Sequence, residues 1–383
     1  MNGPLVFARG GLDSLLTALQ DAGYVTVGPT VRDDVIAYDT IATSADLPVG
    51  LTDEQGPGSY RLVPREDQRL FGHVVGPHAW KRFLSPPRAV VWEGALSADG
   101  IEELPRPPAP RYAFVGVRPC DLVGIEIQDR VAAGQGWVSD PDYVSRRDGA
   151  FVVVVNCDEP GNNCFCVSMD TGPRARSGFD IALTEVEVDD GLRYLAEAGS
   201  ADGAAMLAGL DAPAADEAIR DAADTALEEA GHQMGRTMDT DGLKDLLQSN
   251  LDHPIWAEIG ERCLGCTNCT MVCPTCFCWS VEDSMDLDGT TATRTRRWDS
   301  CFTLDFTFIH GGPVRESVGA RYRQWFIHKL ASWVDQFGSF GCVGCGRCIT
   351  WCPVGIDLTE EVRRLQSGTE PVAAAIANPE VRT

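Results

Sequence analysis

The sequence predicts a mixed α+β fold. An N-terminal α/β domain covers residues 1–198, an acidic helical spacer covers 199–240, and a cysteine-rich C-terminal domain covers 241–383, interrupted by an insertion at 279–335. Three observations carry this reading. Two apolar runs, 112–117 and 151–156, flank a helical pattern at 121–132, which makes a strand–helix–strand unit. From 199 to 230 the composition shifts to Ala, Asp and Glu. Beyond that, one spacing of cysteines occurs twice.

The elements follow in order. Leu12, Leu15, Leu16 and Leu19 fall at helical spacing and Gly23 ends the pattern, so a helix is expected over 12–22. Extended segments are expected at 24–27, 35–38, 60–63 and 89–92, and the proline-rich stretch 104–110 is a connector. The run 151–155 is unbroken and apolar, as in a strand buried on both faces. A solvated helix is expected over 216–230, and helices over 241–250 and 254–262, the last leading into the first cysteine group. Residues 279–281 and 293–298 read as a hairpin turning at Asp288-Gly289, and 321–333 as an aromatic-rich helix before the second cysteine group.

Composition narrows the function. The chain has 383 residues, enough for two or three domains, with 44% hydrophobic and 23% charged residues. A net charge of −24 argues against nucleic-acid or anionic-membrane binding, which needs a basic face. The longest solid apolar run is far shorter than the roughly 20 residues of a membrane helix, and the N-terminus lacks the basic start of a secretory signal. A cytoplasmic location is therefore expected. In that compartment disulfides are a poor explanation for 15 cysteines, and metal ligation is a better one.

The spacing makes that specific. Cys263, Cys266, Cys269 and Cys273-Pro274 form one run, and Cys342, Cys345, Cys348 and Cys352-Pro353 form the other. Both are C-x2-C-x2-C-x3-C-P, the spacing of bacterial-type two-[4Fe-4S] ferredoxins, in which the fourth cysteine ligates the other cluster. Cluster 1 is therefore expected on Cys263, Cys266, Cys269 and Cys352, and cluster 2 on Cys342, Cys345, Cys348 and Cys273. Gly265, Gly344 and Gly346 permit tight backbone beside the clusters. The competing metal is zinc, which takes four ligands from two CxxC pairs and does not call for this doubled pattern. The long chain between the runs does not prevent cross-ligation, because loop-closure cost grows slowly with length.

Cys120, Cys157, Cys164 and Cys166 follow the two best strands. If those strands are parallel neighbours, the four thiols converge at the carboxyl edge of the sheet and can hold a third cluster. The alternative is four packed free thiols, since cysteine is often buried. Cys276, Cys278 and Cys301 are read as packing beside a cluster or hydrogen-bonding to it, the alternative being that they are ligands themselves. No G-x-G-x-x-G follows a strand, no P-loop is present, and His73, His253 and His328 lack ligand spacing, so no catalytic residue is assigned.

The segments Gly116-Val-Arg118-Pro119-Cys120-Asp121, Gly161-Asn-Asn-Cys164-Phe-Cys166, Cys273-Pro-Thr-Cys276-Phe-Cys278, Arg297-Trp298-Asp299-Ser300-Cys301 and Cys352-Pro-Val-Gly355 together resemble one family. It is the iron–sulfur beta subunit of cytosolic sulfhydrogenases, the NADP-linked nickel–iron hydrogenases; the electron-transfer subunit of anaerobic sulfite reductase is a relative. The likeness runs from about residue 12 to 358. It implies a subunit that relays electrons between a flavoprotein carrying FAD and using NAD(P)H, and the small and large nickel–iron hydrogenase subunits. The alternatives are the matching subunit of a sulfite reductase and a stand-alone iron–sulfur redox enzyme.

Overall fold

The computed structural model describes residues 3–134, 138–188 and 191–368; the last stretch of the expected C-terminal domain, 369–383, lies outside the described residues. A seven-stranded sheet organises the N-terminal half, in the order Leu5–Phe7, Gly191–Ala198, Ile181–Val188, Phe151–Val155, Tyr112–Val117, Val25–Arg32, Val35–Thr40. The four strands from Ile181–Val188 to Val25–Arg32 are parallel neighbours, and antiparallel strands close both edges.

Alternation along the central strands supplies two cores. Phe151, Val153 and Val155 face Leu12, Leu15, Leu16 and Leu19 of helix Arg9–Asp21. Val152 and Val154 face Leu122, Ile125 and Tyr143 of helices Pro119–Ala132 and Pro141–Asp148. Successive side chains of a strand point to opposite faces, so a strand covered by helices on both sides must be apolar throughout. Removing one such leucine costs about 2–5 kcal/mol.

The segment expected as a spacer packs on this sheet. Leu207 of helix Ala201–Ala208 enters the first core. Ala223, Leu227 and Ala230 form the buried stripe of helix Glu217–His232, where Ala223 packs with Val186 and Leu195. Alanine at those positions lets the helix approach closely, and its polar residues keep the other face in water. The composition alone hides that stripe.

The insertion is likewise tied to the N-terminal half. Its hairpin, Trp279–Met285 and Thr291–Trp298, pairs with Arg88–Ser97, which pairs in turn with Gly100–Glu103. After it, Val318–Ile327, one π-helical turn at His328–Ser332 and Trp333–Phe337 form a bent helical segment. Phe326 and Leu330 pack in a third core with Trp256, Ile259 and Leu247. Among the described residues no helix is long and apolar enough to cross a membrane.

Candidate metal centres

The central strand pair builds one group of thiols. Because Tyr112–Val117 and Phe151–Val155 are parallel neighbours, their carboxyl ends open at the same sheet edge, where open α/β sheets form sites. The first strand passes through Arg118 into helix Pro119–Ala132 and places Cys120 in its first turn; that end of a helix favours negative charge. The second passes through Asn156 to Cys157 and a loop carrying Cys164 and Cys166. Backbone bonds pin the loop: Cys157 N–H to the Pro173 carbonyl at 3.0 Å, Cys164 N–H to that of Gly161 at 3.0 Å, and Phe165 N–H to that of Gly344 at 2.8 Å. Cys120, Cys157, Cys164 and Cys166 line one cavity, and Cys345 of the second cysteine run closes its wall.

Burial pushes the Cys164 thiol well above its ordinary pKa, and Cys157 and Cys166 beside it push the same way. Cys166 is pushed up to about 12, by burial first and then by Cys157. Crowded neutral thiols are poor nucleophiles. A multi-iron cluster that displaced their protons would have four sulfur donors around it.

The two cysteine runs fold alike. Gly265 and Thr267 in the first have φ of +62° and +70°; Gly344 and Gly346, at the matching positions of the second, have +65° and +73°. Each run then enters a one-turn helix, Asn268–Met271 and Arg347–Thr350. Left-handed residues inside such a loop turn backbone N–H groups inward, the concave arrangement that suits an anionic cluster. Gly265 N–H reaches Cys263 Sγ at 3.4 Å and Ile356 N–H reaches Cys352 Sγ at 3.3 Å.

The runs also cross. Cys263, Cys266 and Cys269 line one cavity together with Cys352 and Cys348, with Phe302, Tyr322 and Trp325 also in its wall, and Cys352 acts electrostatically on Cys263 and Cys269. Cys266 is exposed at its rim. Cys273, buried like Cys342 and Cys345, lies among the thiols that act electrostatically on Cys342, Cys345 and Cys348. Cys348 borders the first site and Cys345 the group at the sheet edge, so the second site stands between the other two.

The donor set fits cubane clusters. Among the described residues no three His, Cys, Asp or Glu side chains stand close enough together to hold a single metal ion. Zinc draws four donors to a point about 2.3 Å from each sulfur, whereas these thiols line shared cavities, as a multi-iron cluster held by four thiolates requires.

Of the remaining cysteines, Cys276 lies beside Cys273, and Cys278 beside Cys301. Cationic residues to which the sequence assigns no role complete the surroundings. Buried Arg118 lines the sheet-edge cavity and donates to the carbonyls of Asn156, Phe71 and His73. Lys329 donates to Cys273 Sγ at 3.1 Å, Thr275 Oγ1 at 3.0 Å and the Gly341 carbonyl at 2.7 Å. Lys81 donates to the Cys276 carbonyl at 3.1 Å, over the ring of Trp298 at 4.2 Å.

Two duplicated cysteine loops on an α/β scaffold define an iron–sulfur protein, and residues 262–356 match the family described as 4Fe-4S dicluster domain. The chain is also similar to Sulfhydrogenase 2 subunit beta of Pyrococcus furiosus, 34% identical over 262 residues that make up 67% of this chain and 75% of that protein. The chain belongs to the sulfhydrogenase beta-subunit family. No solved structure matches it.

Proposed function

We propose that this chain is the electron-relay subunit of a hydrogenase complex and carries three [4Fe-4S] clusters. Cys263, Cys266, Cys269 and Cys352 hold the first. Cys342, Cys345, Cys348 and Cys273 hold the second. Cys120, Cys157, Cys164 and Cys166 hold the third. The observation that carries this reading is the crossing of the runs: Cys352 lines one cavity with Cys263, Cys266 and Cys269. The sheet-edge group rests on the parallel pairing of its two strands.

When bound, such clusters supply one-electron exchange. The protein's residues fix where they lie and what surrounds them. Cys345 and Cys348 each border two sites, which sets the three in a row with the second in the middle. The exposed Cys266 brings the first site to the surface, and the buried Cys164 keeps the third away from it.

NAD(P)H delivers a hydride, two electrons and a proton, and a flavin is the group that divides that pair. The partners are therefore an FAD-bearing NAD(P)H subunit on one side and the nickel–iron small and large subunits on the other, in the cytoplasm. The test uses the chain purified anaerobically. Alone, it should neither oxidise NAD(P)H nor take up hydrogen; with the flavoprotein added, NAD(P)H should bleach its cluster absorption. Bound flavin and NAD(P)H turnover by the chain alone would make it a stand-alone enzyme. Co-purification with a sirohaem subunit would assign it to a sulfite reductase.

A further inference from the structure

Two lysines are buried beside the second site, at 5% and 6% exposure for Lys329 and Lys81. A buried ammonium is costly unless an anion compensates it. The chain carries 56 acidic residues, yet among the described residues neither lysine forms an ion pair with a carboxylate. Lys329 spends its three donors on Cys273 Sγ, Thr275 Oγ1 and the Gly341 carbonyl. Lys81 bonds only to the carbonyls of Thr270 and Cys276. Thr275 donates in turn to the same Gly341 carbonyl, at 2.6 Å, which fixes the geometry around the ammonium.

The backbone is shaped for this contact. Lys329 lies in the single π-helical turn His328–Ser332. Such turns re-aim side chains and are frequent at functional sites. Here the widened turn lies between Trp325 and Trp333, both buried, and the ammonium is directed at sulfur.

The geometry points to Lys329 as the positioning residue that raises the reduction potential of the second site. This rests on the assignment of Cys273 to that site. Reduction adds one negative charge to the cluster. A fixed cation at the sulfur of one ligand, screened from water, stabilises the reduced form and raises the potential. The arginine next to the site does not do the same, because Arg347 is neutralised by Asp121. Lys81 is one step further out, bonded to the Cys276 carbonyl and to no sulfur.

The experiment is a potentiometric titration of the anaerobically purified, cluster-loaded full chain, followed by electron paramagnetic resonance. Lys329→Met should lower the midpoint of one cluster at least tenfold in its one-electron equilibrium constant, about 59 mV, and leave the others in place. Lys329→Arg should stay near the parent value, and Lys329→Gln should behave as Lys329→Met. An unchanged midpoint in Lys329→Met, an equal shift of every cluster, or loss of iron from both neutral variants would overturn the role. Cys273→Ser identifies the cluster concerned: if it leaves every signal unchanged, the assignment of Cys273 fails, and not the role of the charge.

Discussion

Arg347 and Asp121 form a fully buried bidentate ion pair, Nη1 to Oδ1 at 2.6 Å and Nη2 to Oδ2 at 2.8 Å, with neither side chain exposed. Asp121 follows Cys120 at the head of helix Pro119–Ala132, and Arg347 stands between Cys345 and Cys348. Tyr38 donates to Asp121 Oδ2 at 3.1 Å, and Arg347 Nε donates to the Gly76 carbonyl at 3.0 Å. The pair therefore locks the sheet-edge thiols to the second cysteine run.

Breaking one side of that pair leaves a charge buried without its partner, which costs about 3–5 kcal/mol. Asp121→Ala should lower the melting temperature of the loaded chain sharply. Asp121→Leu combined with Arg347→Met should recover much of the loss, because replacing both charges removes the desolvation penalty. Equal destabilisation by the single and double variants would show that the pair acts through its shape alone.

The glycines of the second run carry a separate prediction. A Cβ on Gly344 would stand 2.6 Å from the Phe165 carbonyl, and one on Gly346 2.5 Å from that of Asn163, both at positive φ. Gly344→Ala should therefore release iron from the second and third sites together. At Gly265 the nearest atom is 3.7 Å away, so Gly265→Ala meets only the left-handed strain of about 1–2 kcal/mol and should keep its iron. Full iron in Gly344→Ala would contradict the close docking of the two loops.

Much of this architecture was legible. The unbroken apolar run 151–155 announced a strand buried on both faces, and the doubled spacing announced the dicluster domain. Other features were not. Ala223, Leu227 and Ala230 are small or isolated in an acidic stretch, so their buried stripe carries little periodic signal. The pairing of Thr291–Trp298 with Arg88–Ser97 joins segments far apart in sequence, and nothing local encodes it. Lys329 sits in an aromatic-rich helical pattern; only the π turn directs it to Cys273.

Cross-ligation predicts effects at a distance in sequence. Cys273→Ser should alter the spectrum of the cluster held by Cys342, Cys345 and Cys348. Cys352→Ser should alter that of the cluster held by Cys263, Cys266 and Cys269. Each change should be visible in the resonance spectrum of the reduced chain. Effects confined to the run that carries the mutation would contradict the crossing.

Stability should depend on His73. Burial, and then the charge of Arg118, push its pKa down from 6.5 to about 3. The folded value lies below the unfolded one, so the unfolded chain binds the proton more readily. The contribution is complete above about pH 6.5 and is lost as pH falls toward 3, by roughly 2 kcal/mol at pH 5. Melting temperatures of the parent chain should fall between pH 7 and 5 more steeply than those of His73→Gln. Parallel curves would show that His73 does not titrate differently on folding.

The central claim, three clusters on one chain, is tested most directly by iron per chain after anaerobic purification. Three cubanes predict about twelve irons, falling to about eight when Cys157 and Cys164 are both changed to Ser. About eight irons in the parent chain, unchanged in that variant, would contradict the third site; zinc in place of iron would contradict all three.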